Sequence, residues 1–201
     1  MPKLPTLITP QDFLSVAQTG DLLLFQSKSL GSNLQRIITR SNYDHVALLI
    51  KFPDGRLVIF EALRENGVTI CDWDRFMTKK WHELYHRIVY RKLYSRREHH
   101  FNEVLEDFVR QTLGKPFKIN PIKLLRSTND WDQAEKIKDS KSFFCSELVA
   151  TALKRLGLLE PAKAASKYWP GEFSQEDRLS EAKLQNGAWF GDEQVIEFVN
   201  I

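Results

Sequence analysis

Cys145 and His45 are the residues of this 201-residue chain best suited to nucleophilic chemistry: a thiol, and an imidazole able to take its proton. Cys145 stands in the run Ser142-Phe143-Phe144-Cys145-Ser146-Glu147-Leu148-Val149. From it, Leu148, Val149, Ala152, Leu153 and Leu156 recur at helical spacing, so the run predicts an amphipathic helix with Cys145 on its apolar face. Ser142 is the expected N-cap, and Gly157 the stop after the basic turn Lys154-Arg155. A thiol in the first turn meets unsatisfied backbone N–H groups and the positive end of the helix dipole, both of which favour an anion. The same position also suits an inert cysteine packed as a small hydrophobe, and the helix alone does not choose between the two.

The element that must present His45 is the clearest hairpin in the sequence: a strand over 45–52, the turn Pro53-Asp54-Gly55, and a strand over 56–62. Pro53 and Asp54 suit the two αR positions of a type I turn, and Gly55 suits the αL position that completes a three-residue loop with a G1 bulge. Closing the hairpin in this way puts Ala47 opposite Glu61, with His45 on the same face as Glu61 and one diagonal step away. At about 7–8 Å between backbones, that step is within reach of the two side chains. A two-residue loop would shift the register by one and send them to opposite faces. The turn chemistry therefore predicts a His45–Glu61 pair.

Other elements frame this hairpin. Thr9-Pro10-Gln11-Asp12 reads as N-cap, N1 proline and acidic first turn of a short helix closed by Gly20, followed by a strand over 21–25. Ser32 can cap a helix carrying Leu34, Ile37 and Ile38 that delivers the chain to Tyr43-Asp44-His45. A strand over 67–70, a helix capped by Asp72 through Trp73 and Phe76, and a strand over 84–93 come next. A helix over 97–113 follows, with Phe101, Val104, Leu105, Phe108 and Val109 as its buried stripe and Gly114 as its stop. Residues 115–141 carry little pattern beyond a helical turn at 122–125 and read as a loop. The tail predicts a last strand pairing back onto the sheet.

With 42% apolar residues and 11% aromatics the chain has enough material for a single globular domain over 1–201. The net charge of +3 does not imply a nucleic-acid partner, and the local cluster Arg87, Arg91, Lys92, Arg96 and Arg97 reads as a solvated strand end and helix start. Cys71 and Cys145 could form at most one bridge, which argues against a disulfide scaffold and for a reducing compartment. No signal peptide or membrane-length apolar run is seen, so a cytoplasmic location is expected, with peripheral membrane contact left open. Cys71 has no strand histidine paired with it and reads as structural. His82, His86, His99 and His100 lack zinc-like spacing, and neither a metal nor a cofactor is expected. Glu147 reads as a solvated helix-start carboxylate.

The chain order His45, Glu61, Cys145 places the nucleophile last, whereas ordinary papain-like enzymes place it first. At these residues the sequence resembles the permuted papain-like amidases of the NlpC/P60 superfamily, the YaeF/YiiX-type group, and more distantly the lecithin:retinol acyltransferase-like proteins. The matching segments, in order, are "GDLLLF" (20–25), "YDHVALLI" (43–50), "VIFEA" (58–62) with Gly67-Val68, "FFCSELVATAL" (143–153) and "YWPGEF" (168–173). The resemblance implies an α+β, circularly permuted papain-like fold with an antiparallel sheet packed against helices. It also implies a cysteine hydrolase or acyltransferase acting on an amide or ester, with Cys145 as nucleophile, His45 as base and Glu61 orienting it. Tyr43, Asp44, Ser146, Tyr168 and Trp169 are then the expected substrate-binding residues, and 114–141 a segment flanking the cleft. A small amide, a peptide or a lipid is the expected substrate; the competing reading is a non-catalytic module that holds a peptide or lipid in the same cleft. The oligomeric state is left open.

Overall fold

The computed structural model describes residues 5–28, 41–97, 100–118, 142–175 and 181–198. The helix expected after Ser32, with Leu34, Ile37 and Ile38, the helical turn at 122–125, most of the cleft-flanking segment and His99 lie outside the described residues.

The described elements run in the order β1 (Thr6–Ile8), α1 (Pro10–Val16), β2 (Leu22–Ser27), β3 (His45–Lys51), β4 (Leu57–Leu63), β5 (Gly67–Asp72) and α2 (Trp73–Thr78). Then come β6 (Tyr85–Arg91), β7 (Leu93–Tyr94), α3 (Phe101–Thr112), α4 (Cys145–Arg155), a 3-10 turn over Pro170–Phe173, β8 (Trp189–Phe190) and β9 (Gln194–Ile196). Seven strands form one sheet in the order β1-β9-β6-β2-β3-β4-β5, antiparallel throughout except for the parallel pair β1–β9. The tail strand expected from the sequence is thus β9, which joins β1 to β6. The expectation of an α+β fold with a largely antiparallel sheet packed against helices holds.

Strand alternation divides the core into two layers. Leu22, Leu24, Val46, Leu48 and Phe60 pack with α3 and α4, whereas Leu23, Phe25, Ala47, Leu49 and Ile59 pack with Phe13 of α1 and Trp73 and Phe76 of α2. Because both faces are covered, β2 and β3 read as nearly unbroken apolar runs.

The β3–β4 turn forms as its chemistry predicts. Gly55 N–H donates to the Phe52 carbonyl (3.0 Å), Phe52 N–H donates to that of Arg56 (2.8 Å), and Gly55 has φ +87°. The resulting register pairs Leu48 with Phe60 and Leu49 with Ile59.

Four expectations need correction. The first helix ends at Val16 rather than running to Gly20. The cysteine helix starts at Cys145, not near Ser142, because Phe143 runs extended beside Phe117: its N–H donates to the Pro116 carbonyl (3.1 Å) and its carbonyl accepts from Lys118 N–H (3.3 Å). That helix is also not half-solvated; Cys145 through Leu153 are all buried, and Glu147 retains only 5% of its surface. Finally, the basic cluster is only partly solvated: Arg96 and Arg97 are exposed, whereas Arg91 is buried. Arg91 is 2% exposed and donates to the carbonyls of Phe173 and Gly191 and to Glu181, while Arg87 and Arg97 face the buried carboxylates of Glu193 and Asp21. The far end of α4 agrees with expectation: Gly157 (φ +69°) donates to Lys154 and Leu158 to Leu153, the paired bonds of a Schellman motif.

Candidate active site

His45 is the first residue of β3 and Cys145 the first of α4, so both groups sit at the ends of their elements, where a side chain from one layer can reach the other. The imidazole leans on Phe25, its cross-strand partner, at 5.2 Å between ring centroids, and Phe25 in turn packs on Tyr85 at 4.8 Å. These contacts fix the ring plane. Its Nε2 lies 2.7 Å from Glu61 Oε2, with only 11% and 8% of the two side chains exposed. The carboxylate accepts the Nε2–H, which sets the tautomer, and the Cys145 thiol lies close enough to the ring to act on its protonation. Nδ1 is the ring nitrogen left for that thiol.

The electrostatics follow from this enclosure. Burial disfavours the imidazolium, but the hydrogen bonds and negative charge of Cys145 and Glu61 outweigh it and push His45 up to about 10. That direction favours a proton on the imidazole. The start of α4 adds to it. Its N-cap is Phe144, which offers no side-chain acceptor, so no cap group competes for the first-turn N–H groups beside the sulfur.

Cys71 provides the contrast. It lies on β5 opposite Ile59, and burial, aided by the charge of Glu61, pushes its thiol up to about 11.

Of the five expected substrate-binding residues, four are enclosed and bonded within the protein. Tyr43, 1% exposed, donates its hydroxyl to Glu193 (2.8 Å), and Asp44 accepts from the Ser27 N–H (2.9 Å) and hydroxyl (2.5 Å). Ser146, fully buried, donates to the Tyr168 carbonyl (2.7 Å), and the Tyr168 ring packs on Phe173. These side chains brace the site rather than face a ligand. Trp169 alone keeps surface, with its ring 6.3 Å from that of Phe144, the residue before Cys145.

The Trp169–Phe173 segment is held against the loop that delivers His45. Glu172 accepts from Trp169 N–H (2.9 Å) and pairs with Lys163. A Cβ at Gly171 would come within 2.3 Å of Ser41 Oγ, the hydroxyl that bonds the backbone of Tyr43. Glycine is required there by close approach.

Sequence reading missed Phe25, Tyr85 and Glu193. Tyr85 lies in the field of the site: its hydroxyl is pushed up by burial and by the charges of Glu61, Asp44, Cys71 and Cys145. Its position in the alternating 84–93 strand was the available signal, but alternation does not say which face meets the imidazole. Glu193 is wholly buried and gathers Tyr43, Ser174 and the N–H of Gln175.

Among the described residues no cluster of three or more His, Cys, Asp or Glu side chains could hold a metal ion, and no helix is long and apolar enough to cross a membrane.

A family model described as permuted papain-like amidase enzyme, YaeF/YiiX, C92 family, matches residues 16–177. Among solved structures, the crystal structure of metalloprotein yiiX from Escherichia coli O157:H7 is similar, with 22% sequence identity and a TM-score of 0.49, over 70% of this chain and 67% of that one. No curated protein matches.

Proposed function

The chain belongs to the permuted papain-like amidase family, and from that premise we propose that it is a cysteine hydrolase working through a Cys145 acyl-enzyme, with His45 as proton carrier and Glu61 as the group that orients it. The observation that carries this reading is that one enclosed imidazole is bonded to the Glu61 carboxylate and stands within electrostatic reach of a thiol at a helix start.

In this scheme the Cys145 sulfur attacks the carbonyl carbon of an amide or ester while His45 holds the thiol proton. Negative charge moves to the carbonyl oxygen, where the uncapped N–H groups at the start of α4 can receive it. The tetrahedral species collapses with loss of the amine or alcohol, which takes the proton from His45. Water then attacks the thioester, gives its proton to the imidazole, and releases the acid as the sulfur departs and is reprotonated. With another nucleophile in place of water the same steps transfer the acyl group. Glu61 keeps the imidazole in one tautomer and stabilises its charged form throughout.

Trp169, beside Phe144, is the wall against which the substrate packs, which suits a peptide, a lipid or a small amide with an apolar group near the scissile bond. The deciding experiment is intact-mass analysis after incubation with a library of peptide amides and lipid esters. A single acyl adduct on Cys145, absent in Cys145→Ala, is the expected result; turnover that survives Cys145→Ala would refute the assignment.

A further inference from the structure

Two cavities meet at Arg96, at the end of α4 remote from the thiol. The larger, about 570 Å³, has an apolar floor of Phe101, Val104, Leu156 and Leu158, with Arg96 and Arg155 on its wall. The smaller, about 320 Å³, lies among Lys92, Tyr94, Ser95 and Trp189. Among the described residues no acidic side chain lines either one.

The cations are placed to act outward. Arg96 is exposed and has no hydrogen bond or ion pair among the described residues. Lys92 donates to the Val16 carbonyl (3.3 Å) and lies over the Tyr94 ring at 6.0 Å, and Arg155 lies over the Phe108 ring at 4.9 Å and feels the charge of Asp107. Ser95 Oγ, in the wall of the smaller cavity, is buried without a partner among the described residues.

Beside them stands an aromatic ledge. Tyr94 and Trp189 are 41% and 58% exposed, yet stacked 5.0 Å apart at 8° and locked in register by the β7–β8 pair. A rigid exposed Tyr–Trp pair next to cations is the composition of a surface that sits at a lipid–water boundary, where amphipathic rings lie at headgroup depth. A nucleic acid would need a basic track that follows its backbone, whereas here the cations ring an apolar hollow.

We propose that this face is a docking site for an anionic phospholipid bilayer, with headgroup phosphate at Lys92, Arg96 and Arg155, Tyr94 and Trp189 at the interface, and acyl carbon against the Phe101–Val104–Leu158 floor. The site is separate from the thiol chemistry and does not depend on it.

Sedimentation with vesicles of phosphatidylglycerol and phosphatidylcholine, and with vesicles of phosphatidylcholine alone, tests this. The protein is expected to pellet with the first and not the second, and to be released by added salt. Arg96→Glu should weaken partitioning by on the order of tenfold or more, since it removes and reverses a surface charge, while Arg96→Lys should retain it. Trp189→Ser should weaken it several-fold at constant charge. Both side chains are exposed, and an unchanged alkylation rate at Cys145 is expected to report an intact fold. Equal partitioning onto neutral vesicles, a Glu variant that binds like wild type, or preference for a single-stranded oligonucleotide over anionic vesicles overturns the proposal.

Discussion

Glu61 receives the Nε2–H of His45 at 2.7 Å from the neighbouring strand, one diagonal step along a hairpin whose register is set by the turn Pro53-Asp54-Gly55. The pair that would orient the proposed base is therefore local in sequence, and it can be perturbed at the turn without touching either residue.

Shortening the turn is the sharpest use of that fact. Replacing Pro53-Asp54-Gly55 by Asn-Gly should favour a two-residue loop, shift the β3–β4 register by one, and separate His45 from Glu61. Gly55→Ala, by contrast, meets nothing within 4 Å and strains only the backbone at φ +87°. It should cost roughly 1 kcal/mol of stability with Cys145 reactivity unchanged. Thermal melts and alkylation rates measured on both variants check the pair of outcomes.

Alkylation should distinguish the two thiols. With Cys71 pushed up to about 11, its thiolate fraction at pH 7 is on the order of one in ten thousand. Iodoacetamide at neutral pH should label Cys145 at least tenfold faster than Cys71, as read by peptide mass spectrometry. Equal rates would remove the case for an activated nucleophile.

Glu61→Gln should lower the His45 pKa, because it removes one of the charges that hold the imidazole near 10. The folded value lies above the ordinary 6.5, so the stability contributed by the imidazolium is complete below 6.5 and is lost as pH rises toward about 10. In the variant the alkaline limb of the Cys145 alkylation profile should move to lower pH, and hydrolysis should fall roughly a hundredfold or more. An alkaline limb that stays in place would show that Glu61 does not act on His45.

Tyr43→Phe and Trp169→Ala should separate bracing from binding. The first deprives buried Glu193 of a donor and should cost about 1–3 kcal/mol in denaturant unfolding while leaving KM nearly unchanged. The second removes a partly buried ring beside Phe144 and should raise KM with little loss of stability. The reverse pattern would exchange their roles.

The His45–Glu61 relationship was readable in advance because turn chemistry and the two-residue period of a strand leave little freedom. The start of α4 was not. Ser142 looked like a cap, but Phe143 is held extended by Pro116 and Lys118, a contact that no local signal announces. Departure from the capping rule occurs where uncapped N–H groups are useful. Glu147 and Arg91 were placed in solvent because isolated charges belong there. Burial of Arg91 depends on three carbonyls and Glu181, all distant in sequence. Phe25 and Tyr85 were overlooked for a similar reason: Phe25 packs on His45 and Tyr85 on Phe25, contacts that strand pairing decides.

The separation in sequence between the hairpin and α4 gives the chain an order of assembly. His45 and Glu61, sixteen positions apart, can pair as soon as the hairpin closes. The sulfur comes to them only after a long downstream stretch has been made and α4 has docked. If His45 activates Cys145 as proposed, the sulfur behaves as an ordinary thiol until then, and a nascent or partly unfolded chain has no activated sulfur with which to attack its neighbours. Reactivity is thereby tied to completion of the fold, and a labelling time course during refolding would rise with the last packing step rather than with the first.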